Sequence, residues 1–298
     1  MSSSSSPVQP LPPSEPHAAE ASPVPAREGG RPIARVTLSA FWQLFALTLR
    51  RQLFSRQTLV GIGLTVLCCL IVWAWSRQRE PTLAKFSEQV MVPVYVAFLM
   101  PVVAICYGAS GVGAEREDRT LIYLLITPIP RPLVYFAKFL AANLLVTAWA
   151  GVALFFLSRL AGESGGEGGG GGAAVRDALH LFLGPSLLGA AAYASLFLLL
   201  GTLFRHGTMI SLAYWFFLEV LFGNMPGIVK RVSVAYYVRC MIYEEGAELK
   251  LGPVGRVARE MFLPVSSQTA KIVLATSITA LLIAGLSVFS KREYRDLS

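Results

Sequence analysis

The side chains best placed to do chemistry gather in two parts of the sequence. The first is the run Gly113-Ala-Glu-Arg-Glu-Asp-Arg-Thr-Leu-Ile-Tyr-Leu-Leu-Ile-Thr-Pro-Ile-Pro-Arg131. Acids and bases alternate through Glu115, Arg116, Glu117, Asp118 and Arg119. Thr120 then opens a short segment with Leu121, Leu124 and Leu125 at helical spacing. Its acids fall in the first turn, where carboxylates suit the helix dipole. Pro128, Pro130 and Pro132 stop the helix abruptly. Such a segment recognises rather than reacts, because an apolar face rimmed by charge commonly marks a protein contact. The alternative is a helical hairpin loop capped by acids, whose prolines lead into the next helix.

The second place is Glu219, set in Trp215-Phe-Phe-Leu-Glu-Val-Leu-Phe222. A carboxyl at that depth in a bilayer is costly and marks a functional site by default. It admits two readings: a group facing a substrate path, or one protonated or hydrogen-bonded at a helix interface. Catalytic patterns are missing elsewhere. His17, His180 and His206 are scattered, and neither His-Glu-x-x-His nor Gly-x-Ser-x-Gly occurs. No Gly-x-x-x-x-Gly-Lys-Ser/Thr occurs either, so ATP hydrolysis is not expected on this chain. Cys68, Cys69 and Cys106 lie in apolar runs and Cys240 stands alone in a loop, which leaves no disulfide or metal framework.

These residues must be positioned by membrane helices. The chain is 54% hydrophobic and only 15% charged, with a mean hydropathy of +0.56. Soluble domains average roughly 25% charged residues. A hydrocarbon core about 30 Å thick takes about 20 apolar helical residues. Six stretches qualify: Thr58 to Trp75, Val90 to Ala114, Leu133 to Leu157, Leu179 to Phe204, Thr208 to Val229, and Ala270 to Ser290. The expected class is an all-α integral membrane protein of about six transmembrane helices.

The connecting segments differ in kind. Residues 1–34 are Ser- and Pro-rich, too poor in apolar side chains to fold, and read as a disordered tail without a signal peptide. Val36 to Arg56 is apolar but broken by Arg50, Arg51 and Arg56, as expected of an amphipathic helix lying in the membrane surface. Residues 162–172 form a Gly-rich linker. The long loop 230–268 opens with a stretch suited to a short amphipathic helix lying on the outer interface. Lys138, Arg159 and Lys271 sit near span ends, where snorkelling accounts for them. Basic residues outside the long loop favour cytoplasmic termini. The net charge of +8 is spread between apolar runs, which argues for interfacial anchoring and against nucleic acid.

The pattern Glu115-x-Glu117-x-x-Thr120-Leu121-x-x-Leu124-Leu125-x-x-Pro128-x-x-Arg131, followed by Lys138, resembles the cytoplasmic loop of ABC-2 type transporter permeases. Arg119 stands where that family often has Gly. The resemblance implies that residues 35–298 form a six-helix permease domain, with 230–268 outside the cytoplasm. It also implies that 115–131 is a coupling helix docking on a separate ABC ATPase. Glu115, Glu117, Asp118, Arg119, Thr120, Leu121, Leu124, Leu125, Pro128 and Arg131 would make that contact. ATP and Mg would be bound by the partner, with no cofactor on this chain. A second permease subunit would complete the complex in the plasma (inner) membrane, with membrane lipid around it and export as the direction. Two other classes remain open: a non-transporting membrane scaffold, and a membrane-embedded enzyme using Glu219.

Overall fold

In hydrocarbon a backbone must satisfy its polar groups internally, which favours helices. The computed structural model describes residues 33–77, 83–111, 113, 130–163, 179–225, 227–247 and 262–291, and its described elements are all helical. A first helix, α1 (Ile33–Leu53), turns at Ser55 into α2 (Arg56–Ser76). Then follow α3 (Ala84–Ala109), α4 (Arg131–Glu163) and α5 (Leu179–Leu203). A shorter helix, α6 (Gly207–Leu221), precedes α7 (Val234–Glu245) and α8 (Ser267–Lys291). Helices α2, α3, α4, α5 and α8 are long and apolar enough to cross a membrane. With α6 beside them they form the multi-pass all-α bundle that hydropathy predicts.

Contacts define two ends of the bundle: an α1 end, where α1 meets the end of α3 and the start of α4, and an α7 end, where α7 meets α6 and the start of α8. Its core is built on α3 and α5, which are mostly buried, whereas α2 and α8 are mostly exposed. Tyr95, Val96, Leu99 and Tyr107 of α3 meet Leu154 and Leu157 of α4 and Tyr193 and Phe197 of α5 there. A second cluster at the α1 end joins Phe41 and Leu44 of α1 to Tyr135 and Phe139 of α4 and Phe289 of α8. Small residues let backbones touch. A Cβ on Gly201 would stand 2.3 Å from the Ala109 carbonyl oxygen, and one on Gly285 would stand 1.9 Å from the Tyr135 hydroxyl.

Helix α3 departs from α geometry. Ser87–Leu99 and Ile105–Ala109 are π-helical, and the Met100 N–H donates to the Tyr95 carbonyl five residues back. Pro93 and Pro101 each remove a backbone donor from this helix. The wider turns lie around those gaps. π-helical turns are rare and frequently mark functional positions.

Four expectations are corrected here. The fifth apolar run, read as Thr208 to Val229, stops as a helix at Leu221 and continues as separate 3₁₀ turns over Phe222–Asn224 and Val229–Val232. Gly223 and Gly227 lie in this break, and Gly227 takes φ +102, a backbone form that suits only glycine well. Helix α7 does not lie on the surface of the bundle: Ala235, Tyr236, Val238, Met241 and Ile242 are buried, and it packs on α5 and α8. Cys240 sits within that helix, buried, rather than in a loop. Lys138 does not snorkel, because it is fully buried. The tail 1–32 and the Gly-rich residues from 164 onward lie outside the described residues.

Candidate functional site at the two ends of the bundle

At the α1 end, a set of polar side chains ties together the two helices between which residues 115–131 run. The face of α1 that carries Phe41, Leu44, Thr48 and Gln52 turns toward the bundle. Gln52 donates its Nε2 to the Tyr107 carbonyl of α3 at 3.4 Å. The Tyr107 hydroxyl donates to Thr58 Oγ1 of α2 at 3.1 Å, and Thr58 donates in turn to the Gln52 carbonyl at 2.9 Å. Ser110 donates to Gln57 Oε1 at 2.9 Å. One residue on, Lys138 of α4 donates its Nζ to the Gly111 carbonyl at 2.9 Å. Charged hydrogen bonds of this kind are shorter and stronger than neutral ones.

Gln52, Tyr107 and Thr58 close a ring through α1, α3 and α2, and the Lys138 bond ties α4 to the end of α3, just where the chain leaves α3 and re-enters at α4. Arg131 stands exposed as the first residue of α4, and the Leu133 N–H donates to the Pro130 carbonyl at 2.9 Å. Glu115, Glu117, Asp118, Arg119, Thr120, Leu121, Leu124, Leu125 and Pro128 lie outside the described residues. What the structure does place is the pair of roots from which their segment springs. Gln52, Gln57, Thr58, Tyr107 and Ser110 escape sequence reasoning, since only the fold brings them together. The available signal was weak: polar residues recurring where spans begin and end.

At the α7 end, the carboxyl of Glu219 is fully buried. It accepts from the Val234 N–H at 2.8 Å, from the Ala235 N–H at 3.2 Å, and from the Ser233 hydroxyl. Ser233 is also the N-cap of α7, accepting from the Tyr236 N–H at 3.2 Å. Helix N-termini leave backbone donors without intrahelical partners, and a carboxyl is well suited to take them up. Of the two readings of Glu219, the structure displays a hydrogen-bonded group at a helix junction. Tyr193 and Tyr214 lie beside it.

The other end of α7 repeats the device. Glu244 accepts from the Ser267 N–H, the first residue of α8, and Glu245 accepts from the Ser267 hydroxyl at 3.3 Å and pairs with Lys271 at 2.6 Å. Helix α7 is thus fastened to α6 at its start and to α8 at its finish by carboxyls meeting helix N-termini. Nearby, Lys230 lies over the Phe262 ring at 4.9 Å, and its burial lowers the pKa of its ammonium from the ordinary lysine value. Among the described residues no three His, Cys, Asp or Glu side chains gather as metal ligands.

The architecture defines a multi-pass helical membrane protein with a polar hub at one end and a tethered short helix at the other. The chain belongs to the ABC-2 family of transporter proteins, whose model matches residues 47–222. The match runs from the second half of α1 through the 115–131 segment to α6. It makes the chain a membrane permease of an ABC transporter, a transport subunit of a family that generally works with an ABC ATPase. No curated protein matches the chain at a significant level.

Proposed function

We propose that this permease is one of two membrane subunits of an ATP-driven exporter, and that residues 115–131 form the helix on which a separate ATPase subunit docks. ATP and Mg are held by that partner. The α1 end faces the cytoplasm of a cell whose plasma (inner) membrane holds the complex, with both termini on that side. The α7 end and residues 230–268 then face outward. Closure of the ATPase pair on ATP pushes the coupling helix. Because its roots are joined to each other through Lys138, and to α1 and α2 through Gln52, Tyr107 and Thr58, the push reaches four helices together. The spans tilt between two openings, a switch of the rigid-body kind.

The single observation that supports this reading is the polar ring at the roots of 115–131, inside the region matched by the family. The test is recovery of an ATP-binding subunit with the tagged permease from native membranes. Glu117→Arg reverses a charge in the first turn, and Leu121→Asp puts a carboxylate on the apolar face. Each should lower recovery at least ten-fold, since a buried contact group is worth about 2 kcal/mol or more. Unchanged recovery in both would show that the ATPase docks elsewhere or not at all, and would leave the scaffold reading in its place.

A further inference from the structure

Between α5, α6, α8 and the start of α7 lies a cavity of about 340 Å3. That places it within the size range of small-molecule sites, about 300–1,000 Å3. Its wall on α8 runs from Val273 to Leu281, about 12 Å of helix at about 1.5 Å per residue. The cavity is therefore long and follows the axis of a membrane-crossing helix.

Its chemistry is divided along that length. Leu196, Leu274 and Leu281 represent an aliphatic lining, and the one hydroxyl on α8, that of Ser277, is already donated to the Val273 carbonyl at 2.7 Å. At the α7 end the lining changes to Arg231 and Tyr237, and the exposed Arg231 guanidinium stands near the Tyr236 and Tyr237 hydroxyls. Two other groups with positive character there are engaged: Lys230 is turned over Phe262, and the N-terminus of α7 is met by Glu219. Arg231 is thus the cation presented to the cavity, and guanidinium recognises phosphate well.

The surroundings select the occupant. Helix α8 is mostly exposed, with Ile272 at 58% and Ile283 at 61%, so the bilayer itself stands beside this wall. A long apolar slot of membrane orientation, closed at one end by a phosphate-seeking cation, is complementary to a phospholipid with a net negative headgroup. We propose that this cavity is a lipid site that takes one acyl chain of an anionic phospholipid from the surrounding membrane, with its phosphate on Arg231. The proposal requires only that the bundle is embedded in a bilayer and stands apart from the ATPase reading.

The test places the full chain in phosphatidylcholine discs containing a trace of phosphatidylglycerol with a photoreactive group midway along one acyl chain. A matched preparation carries the same group on phosphatidylcholine. Adducts mapped by peptide mass spectrometry are expected to concentrate at residues 192–196 and 273–281. They should be about five-fold more abundant from phosphatidylglycerol, the preference one basic side chain gives for an anionic lipid. Arg231→Gln should bring the phosphatidylglycerol yield down to that of phosphatidylcholine. Ala280→Trp, which fills the slot, should remove adducts there from both lipids. Equal yields from the two lipids on the unaltered chain would overturn the proposal without any variant. So would adducts spread evenly over the exposed faces of α2 and α8, which indicate ordinary surrounding lipid.

Discussion

Glu219 illustrates how a carboxyl comes to rest inside an apolar bundle. Placing it there costs several kcal/mol, and three donors from the first turn of α7 and its cap offset that cost. Glu219→Ala should therefore destabilise the protein by roughly 2–3 kcal/mol, a lost cap plus orphaned buried donors. Glu219→Gln, which keeps one carbonyl acceptor, should lose about half as much. Thermal unfolding in detergent measures both, and amide exchange in 234–245 should rise first. A site for a substrate would behave differently, with transport lost and stability kept. Lys138 gives the second prediction at this scale. Lys138→Met removes the charged donor from the Gly111 carbonyl, a bond worth about 2 kcal/mol. Limited proteolysis should then cut within 114–129 several-fold faster. The sequence pointed to Glu219 because a lone acid in an apolar run stands out. It could not reveal the buried state of Lys138, because a lysine near a span end reads the same whether it reaches water or a carbonyl on the next helix.

Helix α7 holds α6 and α8 as a strap holds two staves, with an acidic clasp at each end. The segment's amphipathic character was visible in Tyr236, Tyr237, Met241 and Ile242. Which surface those residues meet was not, because that depends on α5 and α8, far away in sequence. The early end of α6 had a signal in Gly223, Pro226 and Gly227, but continuing hydropathy through Ile228 and Val229 masked it. The π-helical turns of α3 left no comparable trace beyond Pro93 and Pro101. Packing between elements supplies a further prediction. Because a Cβ on Gly285 would overlap the Tyr135 hydroxyl, Gly285→Ala should cost about 1–3 kcal/mol by forcing α4 and α8 apart. Tyr135→Leu in the same chain should recover at least about 1 kcal/mol of that loss, a coupling that a double-mutant cycle in thermal unfolding reads directly. Additive losses would mean that the two helices do not meet at this contact in the membrane.

Across the whole molecule, hydropathy was enough to find five of the crossings, since each is a long apolar run that only a bilayer accommodates. Sidedness was harder to read, because basic residues stand at both ends: Arg50, Arg51, Arg56, Arg131 and Arg205 at one, Arg77, Lys85, Arg159 and Arg231 at the other. With the α1 end in the cytoplasm, Gly168→Cys should react with an impermeant maleimide on intact cells. Tyr123→Cys should react only after permeabilisation. The four native cysteines, all within helices, provide the unlabelled background. The short α6 has a consequence of its own. Its eight α-helical and seven π-helical residues reach about 20 Å and the 3₁₀ turn Phe222–Asn224 adds about 6 Å, whereas the 21 residues of α2 reach about 32 Å. The protein thus carries a step in hydrophobic height, and a bilayer that meets α6 follows that step by thinning. Thinning has a cost that grows with acyl-chain length. The protein should therefore sit at lower cost in thin bilayers than in thick ones.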